Sequence, residues 1–198
     1  MSTYSILRAK MKTNFFISTN HQKVLSLLAK FSDKEFYERE IAKKIGISFG
    51  SANKVLNDLH SSGLLNRSQK GKMCFYRINS DDPAFRQFKI FNTIDLLRPL
   101  INNLKDFARK IVLYGSCSNG TDSSNSDIDI FIISDDKIKV LQSIEKYSFG
   151  KGFEDLRIQP VIFSPLELLK AEKTEEEFLS LVREGIVLWE KITDESGV

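Results

Sequence analysis

The chain has 198 residues, of which 41% are hydrophobic and 28% are charged, which is usual for a globular protein and unusual for a disordered or fibrous one. No run of apolar residues approaches the ~18 that a membrane span needs. No long apolar block follows Arg8, Lys10 and Lys12, so we expect no cleaved secretory signal and a cytoplasmic location. Cys74 and Cys117 are too few for a disulfide framework and lack the CxxC spacing of a zinc site.

The positive and negative charges are unevenly distributed along the chain. Residues 1–100 contain 17 Lys and Arg against 8 Asp and Glu, a net charge of +9, whereas residues 101–198 contain 12 against 18, a net charge of −6. A basic half joined to an acidic half indicates two modules with different partners, the basic one facing an anion such as nucleic acid. A chance fluctuation in surface charge is the alternative.

The N-terminal third of the chain shows the apolar spacing of three short helices. These helices are expected at about 21–31, 35–44 and 49–60. Gly46 would end the second helix as a left-handed C-cap, and Ser48 would cap the third. One face of the third helix carries the apolar residues Ala52, Val55, Leu56 and Leu59.

A basic β-hairpin is predicted after the third helix. Residues 66–72 are polar and basic with Gly71 at the tip, and residues 73–78 alternate in the manner of a returning strand. Three short helices followed by such a hairpin resemble the winged helix-turn-helix domain. The resemblance is carried by the runs Ile41-Ala-Lys-Lys-Ile-Gly-Ile-Ser48 and Leu59-His-Ser-Ser-Gly-Leu-Leu65. We expect this domain to occupy residues 1–82.

The resemblance implies that the protein binds double-stranded DNA through the third helix and the hairpin. The candidate contacts are outward-facing residues of the helix and the cations of the hairpin: Ser51, Asn53, Lys54, Asn57, Arg67, Lys70 and Lys72. Asn side chains can pair with adenine edges, whereas Arg and Lys meet phosphates and give affinity without reading sequence. Winged helices also serve as protein-docking or dimerisation modules, and that alternative stays open.

A helical connector is expected over residues 83–106. Pro83 suits the first turn of a helix, Pro99 would limit that helix, and a second helical piece would follow. Beyond the connector, strands are expected at 110–114, 127–133 and 156–163, and helices at 135–147, 165–173 and 175–189. A second domain would then occupy residues 107–198, and the fold class is α+β.

The motif that carries chemistry lies between the first two of these strands. Gly115-Ser116 follows the first strand, Gly120 lies four residues after Ser116, and Ser126-Asp127-Ile128-Asp129 opens the second strand. A glycine at a strand end lets backbone N–H groups approach phosphates closely, and the serine hydroxyl adds a donor. Asp127 and Asp129, at i and i+2, share one face of the strand, where two carboxylates would hold Mg²⁺.

This motif resembles the nucleotidyltransferase domain of the DNA polymerase β superfamily, and in particular the minimal nucleotidyltransferases. The resemblance implies a small mixed sheet with flanking helices, catalytic and metal-binding roles for Asp127 and Asp129, and nucleotide binding at Gly115, Ser116 and Ser126. Two Mg²⁺ ions are expected with a bound nucleoside triphosphate. The implied reaction is transfer of a nucleoside monophosphate, AMP from ATP in the first instance, to an acceptor that the sequence does not identify.

Two parts of the family's pattern are not evident. Asn119 stands where members often have Arg, and active members carry a third carboxylate in a later strand, where this chain has Gln159 and Pro160. Glu154 and Asp155 precede that strand. An enzyme, and a transcriptional regulator or antitoxin-like protein that binds nucleotide or a partner without catalysis, therefore both stay open. The resemblance also raises a small helical partner protein, and a homodimer is a further expectation.

Overall fold

The computed structural model describes residues 16–80 and 82–191 of the chain. Within these residues the fold is α+β, with eight helices and seven strands arranged in two small sheets. None of the described helices is both long enough and apolar enough to cross a membrane.

The first group of elements contains three helices and a three-stranded sheet. In chain order they are α1 (Asn20–Lys30), β1 (Phe36–Tyr37), α2 (Glu38–Ile45), α3 (Phe49–Ser61), β2 (Leu65–Lys70) and β3 (Met73–Ile78). The predicted hairpin is confirmed, because β2 and β3 are antiparallel neighbours. The two predicted helix boundaries are also present: Gly46 is left-handed at the end of α2, and the Ser48 side chain accepts from the Ser51 N–H at the start of α3.

The predicted start of the second helix at residue 35 is wrong. Phe36 and Tyr37 form β1, which pairs with Tyr76 and Phe75 of β3, and the helix begins at Glu38. Aromatic side chains fit a half-buried strand surface, and Phe36 is buried in the first core. The pairing partner lies about forty residues further along the chain, so local spacing gave no sign of it.

One continuous helix, α4 (Pro83–Leu104), replaces the predicted two-part connector. Pro99 lies inside it, at a cost of about 3 kcal/mol for the missing N–H and the ring clash. Leu97, Leu100 and Leu104 around it are fully buried, and each contributes roughly 1.5–3 kcal/mol. The burial therefore outweighs the proline, and the predicted interruption is wrong.

The second group of elements forms a four-stranded sheet with helices on both faces. In chain order they are β4 (Ala108–Leu113), α5 (Ser116–Asn119), β5 (Ile128–Ser134), α6 (Lys137–Glu145), β6 (Ile158–Phe163), α7 (Pro165–Thr174), α8 (Glu176–Arg183) and β7 (Ile186–Glu190). The strand order is β6-β5-β4-β7. Because β5 and β6 are parallel and the other pairs are antiparallel, the sheet is mixed.

The predicted helix over residues 175–189 is wrong in its second half. The helix ends at Arg183, and β7 follows and pairs antiparallel with β4. A Cβ placed on Gly185 would lie 2.5 Å from the Leu113 carbonyl oxygen, so this glycine allows the chain to return against the sheet. The β-branched and aromatic residues that follow favour a strand. By pairing with β4, this strand satisfies the backbone N–H and C=O groups on the edge of β4, which a helix at residues 186–189 would have left unpaired.

The two faces of this sheet have different partners. Ile111, Ile130 and Ile132 face a core that includes Leu97 and Leu104 of α4. The opposite face carries Val112 and Phe131, which pack against Ala171, Leu179 and Val182 of α7 and α8. The helix α4 also places Phe85 in the core of the first group, so it contributes to both cores and fixes the second sheet relative to the N-terminal helices.

Candidate functional site

The motif glycine lies directly against the second motif aspartate. Gly115 follows β4 with φ 69° and ψ −153°, a conformation that is essentially restricted to glycine. A Cβ at this position would lie 2.6 Å from Asp129 Oδ2. The Tyr114 N–H donates to the Asp129 carbonyl oxygen at 3.1 Å, which ties the two strand ends together. Ser116 is half-buried and begins the short helix α5.

A tight turn over residues 123–126 leads into the two aspartates. The Ser126 hydroxyl oxygen accepts from the Ser123 N–H at 2.9 Å, and the Ser126 N–H donates to the Ser123 carbonyl oxygen at 3.1 Å. Ser126, predicted to bind nucleotide, therefore closes this turn in the structure. Its nucleotide contact stays a prediction.

The two motif aspartates differ in exposure. Asp127 is exposed, whereas Asp129 is half-buried on β5. Burial, and then the negative charge of Asp127, raise the pKa of Asp129 above its ordinary value. The apolar surroundings of Asp129 include Tyr114, whose ring meets that of Phe178 edge to face at 5.8 Å. Two adjacent carboxylates, one of them poorly solvated, are a donor set that a hard divalent cation would stabilise.

A neutral side chain occupies the neighbouring position on β6. In the parallel register Asp129 is the partner of Gln159, and Ile128 is the partner of Ile158. Arg157 precedes Ile158 as Asp127 precedes Ile128, and its carbonyl oxygen accepts from the Ile128 N–H at 2.9 Å. The strand next to the aspartates thus presents an amide, with an arginine at its start, where the family pattern has a third carboxylate.

Glu154, one of the two acidic residues ahead of β6, is not placed to supply that carboxylate. The Glu154 carboxylate accepts from the Gly152 N–H at 2.9 Å, and the Lys44 carbonyl oxygen of α2 lies 3.0 Å from where a Cβ on Gly152 would be. Glu154 is therefore held against the N-terminal helices. Among residues 16–80 and 82–191, no three His, Cys, Asp or Glu side chains cluster in a way that could hold a metal ion.

Cys117 lies within the motif but is not placed to act as a nucleophile. Cys117 is the second residue of α5, its side chain is fully buried, and burial raises the pKa of its thiol to about 11. Its sulfur donates to the Asp127 carbonyl oxygen at 3.6 Å. The thiol is therefore protonated at neutral pH and supports the backbone at Asp127.

Replacing Asp129 by Asn should raise the thermal midpoint of the metal-free protein slightly. The pKa of the Asp129 carboxyl is raised above 3.8 in the fold, because burial and the charge of Asp127 disfavour its ionised form. The free energy of unfolding therefore decreases as the pH rises through this folded-state pKa, and the loss is complete at pH 7. Thermal denaturation at pH 7 in EDTA checks this, with Asp135→Asn at the other end of β5 as the control. A fall in the midpoint for Asp129→Asn alone would show that the fold does not disfavour the ionised form of Asp129.

The predicted DNA-contact residues of α3 have different environments. Lys54 is exposed, and the Ser51 hydroxyl oxygen accepts from the Ser48 hydroxyl at 2.9 Å. Asn53 donates to Glu38 Oε1 at 2.9 Å, and Asn57 donates to Asn53 Oδ1 at 3.1 Å. The two amides are thus held within the protein, and a base contact by Asn53 would have to compete with Glu38.

The predicted contacts on the hairpin are exposed cations. Arg67 donates to Cys74 Sγ at 2.9 Å, and Lys70 pairs with Glu35 while lying over the Phe75 ring. Lys72 is exposed beside the tip of the hairpin. The structure therefore places three positive charges along β2 and the turn, and their contact with phosphates stays a prediction.

Four further polar residues around the motif were not indicated by any local pattern in the sequence. Lys30, Lys89 and Asp122 form a buried ionic group, and Asp33 contacts the turn that precedes Asp127. Lys30 had the pattern of an ordinary basic residue in the last turn of a helix. The side chains that meet come from positions about 30 to 90 residues apart, which is why spacing could not indicate them.

A comparison with protein families supports a nucleotidyltransferase assignment for the C-terminal part of the chain. Residues 98–194 match the family model described as "Polymerase beta, Nucleotidyltransferase". The matched region begins near the end of α4 and includes Gly115, Asp127, Asp129 and Gln159. The nucleotidyltransferase part of the sequence-based interpretation is therefore supported.

Two solved structures show weak similarity. The structure titled "Crystal Structure of NolR from Sinorhizobium fredii" has a TM-score of 0.30 and 16% identity over 44% of this chain and 86% of that one. A hypothetical protein PyrSV_gp04 from Pyrobaculum spherical virus has a TM-score of 0.27 and 20% identity over 42% of this chain and 54% of that one. The comparison with curated proteins gave no match.

Proposed function

We propose that this protein binds a complex of Mg²⁺ and a nucleoside triphosphate at Asp127 and Asp129 and transfers a nucleoside monophosphate, AMP from ATP in the first instance, to an acceptor. The observation that carries the proposal is the close approach of Gly115 to the Asp129 carboxylate, with a Cβ excluded at 2.6 Å. This approach leaves an open backbone surface beside two carboxylates, which suits a phosphate chain that shares a metal with them.

The residues of the site would divide the work of binding and reaction. Asp127 and Asp129 would hold Mg²⁺, and the strand end at Gly115 and Ser116 would hold the phosphates. Bound Mg²⁺ would neutralise phosphate charge and assist the departure of pyrophosphate. Gln159, the register partner of Asp129, can accept a metal bond or orient a water but cannot take a proton from an acceptor hydroxyl.

A second candidate is a regulator whose nucleotidyltransferase domain binds nucleotide without rapid transfer. The pairing of Asp129 with neutral Gln159 favours it, because a base for the acceptor is missing from that position. The two candidates share the same bound complex and differ only in turnover.

Radiolabelled nucleoside triphosphates separate the two candidates. The protein is incubated with Mg²⁺ and α-labelled ATP, GTP, CTP or UTP, with and without duplex DNA and candidate acceptor proteins. Label on an acceptor, absent in the Asp127→Asn variant, supports transfer. Saturable binding without label transfer supports the regulator, and no binding of any of the four nucleotides overturns both.

The proposal includes double-stranded DNA as the partner of the N-terminal helices. The three helices, the β2–β3 hairpin and the charge of +9 over residues 1–100 support a winged helix that presents α3 to a groove and the hairpin to phosphates. Docking to a protein is the alternative use of the same surface.

Removing the charges of Lys70 and Lys72 together should weaken duplex binding about equally for all sequences. Each lost phosphate contact should lower the slope of log K against log salt by about 1. A salt titration by fluorescence anisotropy measures this, with Lys170→Ala/Lys173→Ala on α7 as the matched double control. If the hairpin variant keeps the wild-type slope of log K against log salt, Lys70 and Lys72 do not contact DNA phosphates.

A further inference from the structure

The loop between the two halves of the motif is attached to the N-terminal helices. This loop, residues 120–126, joins the glycines of the motif to Asp127. Its contacts with α1, with the turn after α1 and with α4 form two separate sets, one buried and one at the surface.

The buried set is an ionic group around Asp122. Lys30 Nζ of α1 lies 2.9 Å from Asp122 Oδ2, and both side chains are only 1% exposed. Lys89 Nζ of α4 lies 3.2 Å from Asp122 Oδ1 and also donates to Ser32 Oγ at 3.3 Å. Removing one partner would leave a buried charge uncompensated, so this group is a fixed anchor for the start of the loop.

The surface set joins Asp33 to Ser124. Asp33 Oδ1 accepts from the Ser124 N–H and Oδ2 accepts from the Ser124 hydroxyl, both at 2.8 Å. Partial burial raises the pKa of Asp33, but the hydrogen bonds from Ser124 outweigh it and leave the pKa below its ordinary value. A carboxylate that receives two hydrogen bonds from one residue restricts both the position and the rotation of that residue.

Both sets lead to the backbone of Asp127. Ser124 lies inside the turn that hydrogen bonds between Ser123 and Ser126 close. Asp127 directly follows Ser126. Lys30 also donates to Cys117 Sγ at 3.6 Å, and Cys117 in turn donates to the Asp127 carbonyl oxygen at 3.6 Å. The backbone near the first motif aspartate is therefore linked to Lys30 of α1 through Cys117 and to Asp33, in the turn after α1, through Ser124.

We propose that Asp33 is a positioning residue of the nucleotide site. It fixes the turn over residues 123–126, and thereby the carboxylate of Asp127, on the anchor that Lys30 and Lys89 supply. The inference rests on the proposed function for its effect on nucleotide binding. The N-terminal helices would then form part of the nucleotide site rather than a structurally independent domain.

The test compares variants that break the link with one that conserves it. Asp33→Ala and Ser124→Ala should each weaken Mg-ATP binding on the order of tenfold, since each removes a charge-assisted hydrogen bond. The double variant should be no weaker than Asp33→Ala, because Asp33→Ala already removes both hydrogen bonds, whereas Ser124→Ala leaves the one from the backbone N–H. Asp33→Asn should bind nearly as the wild type does, because an amide can accept from the Ser124 N–H and donate to its hydroxyl oxygen.

A matched control and a second measurement separate the outcomes. Asp58→Ala removes an exposed carboxylate that pairs with His21 of α1 at 3.1 Å, and it should leave binding unchanged. Hydrogen exchange of residues 120–127 in the nucleotide-free protein should be faster in Asp33→Ala than in the wild type. Unchanged exchange would overturn the positioning role whether or not nucleotide binds. If the wild type binds no nucleoside triphosphate, the proposed function fails. The hydrogen-exchange comparison then tests by itself whether Asp33 fixes residues 120–127.

Discussion

Asp127→Asn and Asp129→Asn should each weaken Mg²⁺-dependent binding of a nucleoside triphosphate by more than about tenfold, since even the outer partners of metal ligands contribute 10–100-fold. The fold should remain intact, because Asp127 is exposed and Asp129 is only half-buried. An amide keeps the shape of the side chain and removes the charge that a hard cation prefers. Calorimetric titration of ATP with and without Mg²⁺ measures the effect.

The exposed Asp135 provides the control for this experiment. It lies just after β5, at the opposite end of the strand from Asp129, and pairs with Arg109 at 2.7 Å. Asp135→Asn should therefore leave Mg-ATP binding unchanged. Equal Mg-ATP affinity in the wild type and both motif variants would remove the assignment of the metal site.

Much of this fold follows from local features of the sequence. The apolar spacing of α3, the glycine after α2 and the serine before α3 act within a few residues of one another, and the structure has the expected boundaries. The strands on either side of the motif were likewise indicated by short apolar runs.

The features that the sequence did not indicate depend on contacts between distant residues. β1 is a strand because it pairs with β3, and β7 is a strand because it pairs with β4. The residues of β7 had the apolar spacing of a helix. Pro99 is tolerated because its neighbours are buried by the second sheet. The bonds from Ser124 to Asp33 join residues 91 positions apart, and both residues alone are typical of turns.

The identity of residue 159 should control turnover. Gln159→Asp would place a third carboxylate beside Asp129, its partner in the parallel register. If the acceptor needs a base there, transfer of label from ATP should rise by about 10²-fold or more over the wild type, the range of general-base catalysis. The same variant should have a lower thermal midpoint in EDTA, since it adds like charge beside a carboxylate whose pKa is already raised, and Mg²⁺ should restore it.

Two kinds of control isolate the charge at this position. Gln159→Asn has the size of the aspartate without its charge, so it should stay as slow as the wild type. Glu154→Gln should have no effect on transfer, because that carboxylate is bound to the Gly152 N–H near α2, whereas Asp155→Asn tests the remaining acidic residue ahead of β6. A wild type that transfers label rapidly and is indifferent to all four changes would mean that the base comes from the acceptor or from another strand. A wild type that Asp155→Asn alone inactivates would instead make Asp155 the base and leave Gln159 as a neutral ligand.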